Sequence, residues 1–358
     1  AAFQISGIYC KGHPSAAVLG ELICNKLKDS TVQAVYKKTA MELADEMMHS
    51  YPPLSGNKAN MEKHILKSLA EKEDFDSYIN YLRRPRSHME SFIKEEVKKY
   101  ILTEHKDKAL SVLEKNVKRI EKLVSDAVET ATENVKTQGG DIDTWLKKFS
   151  SSLEDELAFS TNYGQNFGDI NDFDFFKKEL DKGIKSIVEE MSSLKIDSMQ
   201  QFSVRPDQLL IDHKCKTYWS QCPFCGAVCS NTAEDHSPND HMVTFHRPNG
   251  TNGVNWKGTV ELYIDFCSTS VASNLEFYPN PSSDQTVPFK VYKTAGGEYA
   301  EWSITPDNST LAYWKWFVCR FQRDLEDYYK KKFKGYGEIP SEWRHFTKEA
   351  AIKSLEKL

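Results

Sequence analysis

Leu113, Val117, Ile120, Val124, Val128, Ala131 and Val135 follow one another at alternating steps of three and four. That spacing lines one face of an amphipathic helix and predicts a long helix over about 107–137. Such a stripe can zip to a partner chain as a coiled coil, or form the seam of a bundle, which is its commoner use. The same periodicity fills residues 1–205. Ser15 is placed to cap a helix to about 27, and Ser30 or Thr31 to cap a second one to about 49. Pro52 and Pro53 stop that second helix, because proline cannot continue the hydrogen-bond ladder. Further helices are predicted over about 59–72, from Asp74 to before Pro85, from Ser87 through Ile101, from Asp141 to about 157, and over about 172–194. Gly139 and Gly140 separate the long helix from the one capped by Asp141.

The pattern changes after about residue 205. Between 213 and 305 the chain is richer in Gly, Pro, Asn, Thr and Cys. Val260, Leu262, Ile264 and Phe266 alternate with other residues and predict a strand over 259–266. Weaker strands are expected at 275–277, 288–292 and 299–304. Helix returns at the end: Asp307 is placed to cap a helix from Ser309 to about 333, closed by Gly335. Tyr313, Phe317, Phe321, Leu325 and Tyr328 form its apolar stripe, thickened by Trp314 and Trp316. Such a stripe is core before it is a ligand platform. Pro340 and Thr347 then introduce two short helices. The expected fold class is therefore α+β: a mostly helical N-terminal bundle, stalk-like, over 1–205, followed by a small zinc-stabilised α+β module with aromatic-rich C-terminal helices over 206–358.

The chemistry is concentrated in 215–248. Cys222 and Cys225 are two residues apart, so the intervening turn can aim both sulfurs at one ion, and Gly226 lets the chain fold back. His241 and His246 follow at a spacing that fits a Cys-x2-Cys, His-x3–5-His pattern. Cys222, Cys225, His241 and His246 are the expected ligands of one structural Zn2+ per chain. A closed two-cysteine, two-histidine shell leaves no position for catalytic water. Asp240 or Asp235 can orient a ligand histidine. Cys229, His236 and Cys215 are near enough in sequence to replace one of the four. No thioredoxin-like βαβ pattern surrounds the Cys-x-x-Cys, and no His-Glu-x-x-His is present, which argues against a redox centre and a metalloprotease.

Composition narrows the function classes. The chain has 358 residues, with 39% hydrophobic and 28% charged, as in an ordinary soluble protein of two or three domains. Its formal charge of −5 gives no global basic footprint for nucleic acid. The eight cysteines sit in a long chain without a signal-peptide pattern, and no stretch is apolar enough to span a membrane. A reducing compartment is expected, cytoplasmic or possibly nuclear. Sequons at Asn249 and Asn308 carry no weight there. The first residue is not Met, which suits a piece of a longer chain. No phosphate-binding loop, dinucleotide fingerprint or Gly-x-Ser-x-Gly occurs, so no catalytic or nucleotide-binding residues are assigned and the chain is expected not to be an enzyme. Lys330, Lys331, Lys332 and Lys334, with Tyr328, Tyr329 and Phe333, could bind nucleic acid or anionic lipid. They also lie at a predicted helix C-terminus, where lysines complement the dipole.

Several blocks are distinctive together: Cys222-Pro223-Phe224-Cys225-Gly226, Asp240-His241, Phe245-His246-Arg247-Pro248, Trp302-Ser303-Ile304-Thr305-Pro306-Asp307, Tyr313-Trp314-Lys315-Trp316-Phe317, and Ile339-Pro340 with Trp343. Over about 205–358 the chain resembles the interferon-induced very large GTPases and the related up-regulator of cell proliferation proteins. The resemblance implies a C-terminal piece of a giant cytosolic innate-immunity GTPase whose nucleotide-binding domain lies upstream, so GTP is not expected to bind here. Members are related to dynamin-like GTPases that oligomerise. Self-assembly or protein partners, and a scaffold role for the helical region, are implied with it.

Overall fold

The computed structural model describes residues 12–163, 166–216, 219–231, 236–237, 240–243, 245–280, 282–308 and 310–357. Asp235 and Ser309 lie outside them. In chain order the helices are α1 (His13–Ser50), α2 (Lys58–Lys72), α3 (Phe75–Arg83), α4 (Pro85–Lys99), α5 (Lys106–Gln138), α6 (Ile142–Leu153), α7 (Phe173–Ser192), α8 (Pro206–Lys214), α9 (Cys267–Ser270), α10 (Ala312–Arg320), α11 (Gln322–Tyr329) and α12 (Lys348–Ser354). A two-stranded antiparallel ribbon, β1 (Glu276–Phe277) and β2 (Val287–Pro288), pairs Glu276 with Pro288 and Phe277 with Val287. The protein is thus a mostly helical α+β fold.

Asp74, Asp141, Asp172 and Thr347 cap their helices, Asp141 as expected, each side chain accepting a hydrogen bond from the backbone N–H three residues on. Ser30 and Thr31 do not begin a helix. Their hydroxyls donate backwards, Ser30 to the Lys26 carbonyl at 3.1 Å and Thr31 to the Lys28 carbonyl at 2.9 Å. Bonded that way a hydroxyl is taken up by the preceding turn, and α1 continues through both.

The chain divides into two compact units that differ from the expected 1–205 and 206–358 partition. One is built on the described part of 1–45 with 97–209, the other on 46–96 with 210–358. In the first unit α5 packs against α6 and α7. All seven stripe residues from Leu113 to Val135 are buried there, so the amphipathic face is a bundle seam. Two polar contacts lie inside the seam: Trp145 Nε1 donates to Thr132 Oγ1 at 3.0 Å, and Asn116 Nδ2 to Thr39 Oγ1 at 3.2 Å, while Asn116 Oδ1 is buried with no partner among the described residues.

The second unit gathers α2 and α3 with α10 and α12 because the aromatic stripe needs cover. Tyr313, Phe317, Phe321 and Leu325 are buried, as are Trp314 and Trp316, whereas Tyr328 is exposed. The helix expected to run to 333 breaks at Phe321, whose φ of −109° and ψ of 23° separate α10 from α11. The Tyr313 hydroxyl donates to the Leu66 carbonyl at 2.6 Å and meets the Tyr78 hydroxyl at 2.7 Å, tying α10 to α2 and α3. Tyr313→Phe is expected to lower stability by about 1–3 kcal/mol, because it removes a partner from two buried oxygens. Urea denaturation of the full chain checks this, and an unchanged midpoint would contradict it.

The strand expected over 259–266 is absent. Val260 is exposed, and Leu262, Tyr263, Ile264 and Phe266 are all buried, so the segment is covered on more than one side and its burial does not alternate. It makes isolated bridges instead, Asn255 with Leu262, Glu261 with Lys332 and Pro248 with Phe266. Of the weaker strands, 275–277 and 288–292 contribute only the short ribbon, and 299–304 only a bridge between Trp302 and His241.

Candidate metal centre

Cys222-Pro223-Phe224-Cys225-Gly226 folds into a tight knuckle. The Gly226 amide donates to the Cys222 carbonyl and the Cys222 amide to the Ala227 carbonyl, both at 2.8 Å. Gly226 takes a φ of +71°, which favours glycine, and a Cβ there would lie 2.8 Å from Asn252 Oδ1. The Gln221 side chain donates to the Gly226 carbonyl at 2.8 Å and closes the turn.

The next contribution comes from three consecutive residues. His246 points its Nδ1 at the knuckle, 3.4 Å from Cys225 Sγ. Arg247 donates from Nε to the Cys225 carbonyl at 2.8 Å and from Nη2 to the Gly226 carbonyl at 2.6 Å. Pro248 bridges Phe266, and the neighbouring Asn249 amide donates to the Asp265 carbonyl at 3.1 Å. That pairing sets Cys267 beside His246, with Cys267 Sγ 2.9 Å from His246 Nδ1 and 3.8 Å from Cys222 Sγ. Cys222, Cys225, His246 and Cys267 are all buried, and their four donor atoms lie within 4.8 Å of one another.

The 3.8 and 3.4 Å separations suit chelation, and the 2.9 Å one would open by about 0.7 Å on an ion. Zn–S bonds of ~2.3 Å and Zn–N bonds of ~2.0–2.1 Å at tetrahedral angles put two sulfurs about 3.8 Å apart and a sulfur and a nitrogen about 3.6 Å apart. A disulfide needs ~2.05 Å, and the described cysteines are free. The electrostatics agree. Burial pushes the Cys222 and Cys267 thiols up, and their neighbouring thiols add to it. Burial also opposes ionisation of Cys225, but hydrogen bonds from Cys222 and Cys267 and the imidazole of His246 outweigh it and hold this thiol low. One thiolate is therefore stabilised by its neighbours, and ionising all three together requires a cation.

The expected quartet is divided. Cys222, Cys225 and His246 come together, and the fourth member of their group is Cys267. His241 belongs to another buried group with Cys229 and His236. Cys229 and His236, weighed as substitutes, are thus partners of the residue they were to replace. Cys215 is buried and belongs to neither group, and burial pushes its thiol up to about 11. Sequence spacing missed Cys267 because a fold contact, the Pro248–Phe266 bridge, delivers it. The only signal was a further cysteine without a partner.

In the basic patch, Lys331 donates to the Gly253 carbonyl at 2.6 Å and Lys332 pairs with Glu326 at 3.0 Å. Both lysines hold the fold locally. No helix among the described residues is long and apolar enough to cross a membrane.

Comparison with known proteins places these features in a family. No solved structure matches. The chain is 36% identical to interferon-induced very large GTPase 1 of Mus musculus over 99% of its own length and 15% of that protein's. Against the Homo sapiens protein of that name the identity is again 36%, over 99% of this chain and 14% of the relative. The chain thus spans only about a seventh of the curated relatives it matches. Residues 215–355, which include all seven grouped cysteines and histidines, match the family described as interferon-induced very large GTPase 1, C-terminal domain.

Proposed function

We propose that this chain is a non-enzymatic scaffold module of a large interferon-inducible GTPase, built around a structural zinc ion held by Cys222, Cys225, His246 and Cys267. The convergence of three buried thiols and one imidazole, with none exposed to solvent, carries the reading. Such a shell is closed to substrate, so the ion's role is to replace a core. The described part of the segment between the ligands has little regular structure, and the centre supplies cross-links that helices or strands would otherwise give. Phe224, Tyr263, Phe289 and Trp302 are buried in one cluster with Cys222, Cys225 and Cys267, so the ion also organises the aromatic packing. GTP hydrolysis belongs to other parts of the relatives. Assembly or binding of protein partners in the cytoplasm, where thiols stay reduced, is the role that remains for a rigid, closed module.

Cobalt(II) substitution of the purified full chain tests the centre. A three-thiolate site gives strong sulfur-to-cobalt absorption, lost in Cys222→Ser and Cys267→Ser. A folded wild-type protein that carries no metal and takes up no cobalt would overturn the reading. Sedimentation over a range of concentrations tests the scaffold role. Self-association is expected, and a strict monomer that also captures no segment of the parent protein would sink it.

A further inference from the structure

We propose that Cys229, His236 and His241 form a second zinc site, so that the module carries two ions. The site rests on its own geometry, separate from the three-thiol centre. His236 Nε2 lies 2.9 Å from His241 Nδ1 and 3.7 Å from Cys229 Sγ, and the three donor atoms fall within 4.8 Å of one another. All three residues are buried. One nitrogen, His236 Nε2, faces both other donors. A single imidazole nitrogen is either a donor or an acceptor, so it cannot satisfy a mixed pair by hydrogen bonding alone. Three such ligand atoms converging on one point, each able to present a lone pair, is the arrangement a metal ion uses. A tetrahedral zinc ion sets nitrogen–nitrogen and nitrogen–sulfur separations of about 3.3 and 3.6 Å.

The backbone prepares each ligand. The Cys229 amide donates to the Ser220 carbonyl at 2.9 Å. The Ser303 amide donates to the His241 carbonyl at 2.8 Å, and His241 bridges Trp302. The Ser230 amide donates to the Met242 carbonyl at 2.8 Å, and Asn231 Nδ2 to the Asp240 carbonyl at 3.2 Å. These bonds close the loop that returns His236 over Cys229. The described part of that loop is polar apart from Met242, which is exposed. It has no apolar core of its own, yet His236 is buried. A metal ion supplies what the side chains lack.

The two sites are nested. Cys225 and His246, ligands of the three-thiol centre, are 21 positions apart, and every ligand of the second site lies between them. The second ion therefore shortens the loop that the first one closes. Zinc suits such a set, because imidazole and thiolate both bind it and one sulfur is too few for an iron–sulfur cluster; copper also takes two histidines and a cysteine, and elemental analysis distinguishes the two.

Elemental analysis of the full chain, purified under reducing conditions and dialysed free of loose metal, tests this. Two zinc ions per chain are expected for the wild type. His236→Ala should retain one, together with the strong cobalt absorption of the three-thiol centre. One zinc in the wild type, unchanged by His236→Ala, would overturn the second site. Should His236→Ala fail to fold, His236→Cys keeps a ligand and is expected to fold with two; a folded His236→Cys with one zinc would also overturn it. A single ion lost in His236→Ala but kept in Cys267→Ser would uphold this site and sink the three-thiol centre, and no zinc in the wild type would sink both.

Discussion

Cys267→Ser is expected to destabilise the unit built on 46–96 and 210–358 as much as Cys225→Ser does, although the two lie far apart in sequence. Structural zinc contributes an apparent ~10–16 kcal/mol in small domains, or about 2.5–4 kcal/mol for each of four ligands. Serine cannot replace the thiolate, because its hydroxyl stays protonated, and it leaves Cys222, Cys225 and His246 converging on a site with one side open. His241→Ala should behave differently. It removes a ligand from the neighbouring group and leaves the three thiols and His246 in place, so the cobalt absorption of the thiol-rich centre persists. Denaturant titration with tryptophan fluorescence, paired with zinc content, checks both. A Cys267→Ser protein with full metal content and wild-type stability would show that Cys267 is an ordinary buried cysteine.

The division between the two groups marks how far the sequence could be read. Cys222 and Cys225 were legible because their spacing is a local constraint: a turn closed by Gly226 aims both sulfurs inward whatever the rest of the chain does. His246 was legible as part of a pair at metal-ligand spacing. Its pairing with His241 was not what the fold uses, since the chain between them turns so that each imidazole joins a different thiol set. Nothing local distinguishes these outcomes. The choice is made by Trp302 bridging His241 and by Phe266 bridging Pro248, contacts between residues that are distant in sequence.

The same reasoning separates the helices from the strands. The α5 seam, the Asp141 cap and the helix starts near Asp74, Asp172 and Thr347 were readable because helix hydrogen bonds and caps are made within a few residues. The 259–266 segment misled because alternation signals a strand only when one face meets water. Here Tyr263 is buried beside Leu262 and Ile264, and the backbone bonds pass to 254, 256 and 332, where no continuous partner strand runs. The grouping of 46–96 with the C-terminal residues was equally hidden, because the Tyr313 hydroxyl selects Leu66 and Tyr78 across more than two hundred residues.

Arg247→Met is expected to cost about 1–3 kcal/mol, the range for taking a charged donor from buried hydrogen-bonding groups. Arg247 is 1% exposed, among the most buried large side chains of the protein. Its guanidinium holds the carbonyls of Cys225 and Gly226, and its carbon centre lies 5.3 Å from the Trp314 ring centroid and 5.9 Å from that of Tyr81. Glu62, which accepts the Tyr81 hydroxyl, supplies the opposing charge. Burial pushes the Glu62 carboxyl up, while the Tyr81 hydroxyl and Arg247 draw it back. Methionine fills the volume but takes the Arg247 donor from the Cys225 carbonyl, leaves the Gly226 carbonyl to Gln221 alone, and leaves Glu62 with only Lys58 as a nearby cation. Arg247→Lys should recover only part of the loss, because an ammonium group lacks the planar fork that reaches both carbonyls and stacks on the rings. Glu62→Gln added to Arg247→Met should cost less than the sum of the single changes, since the carboxylate is a liability once its partner is gone. Thermal unfolding of the wild type and these four variants, with zinc retention against a competing chelator, measures both effects. The knuckle carbonyls Arg247 holds belong to Cys225 and Gly226, so zinc should be released faster in Arg247→Met. Wild-type stability and release in that variant would mean the knuckle is rigid without its clamp.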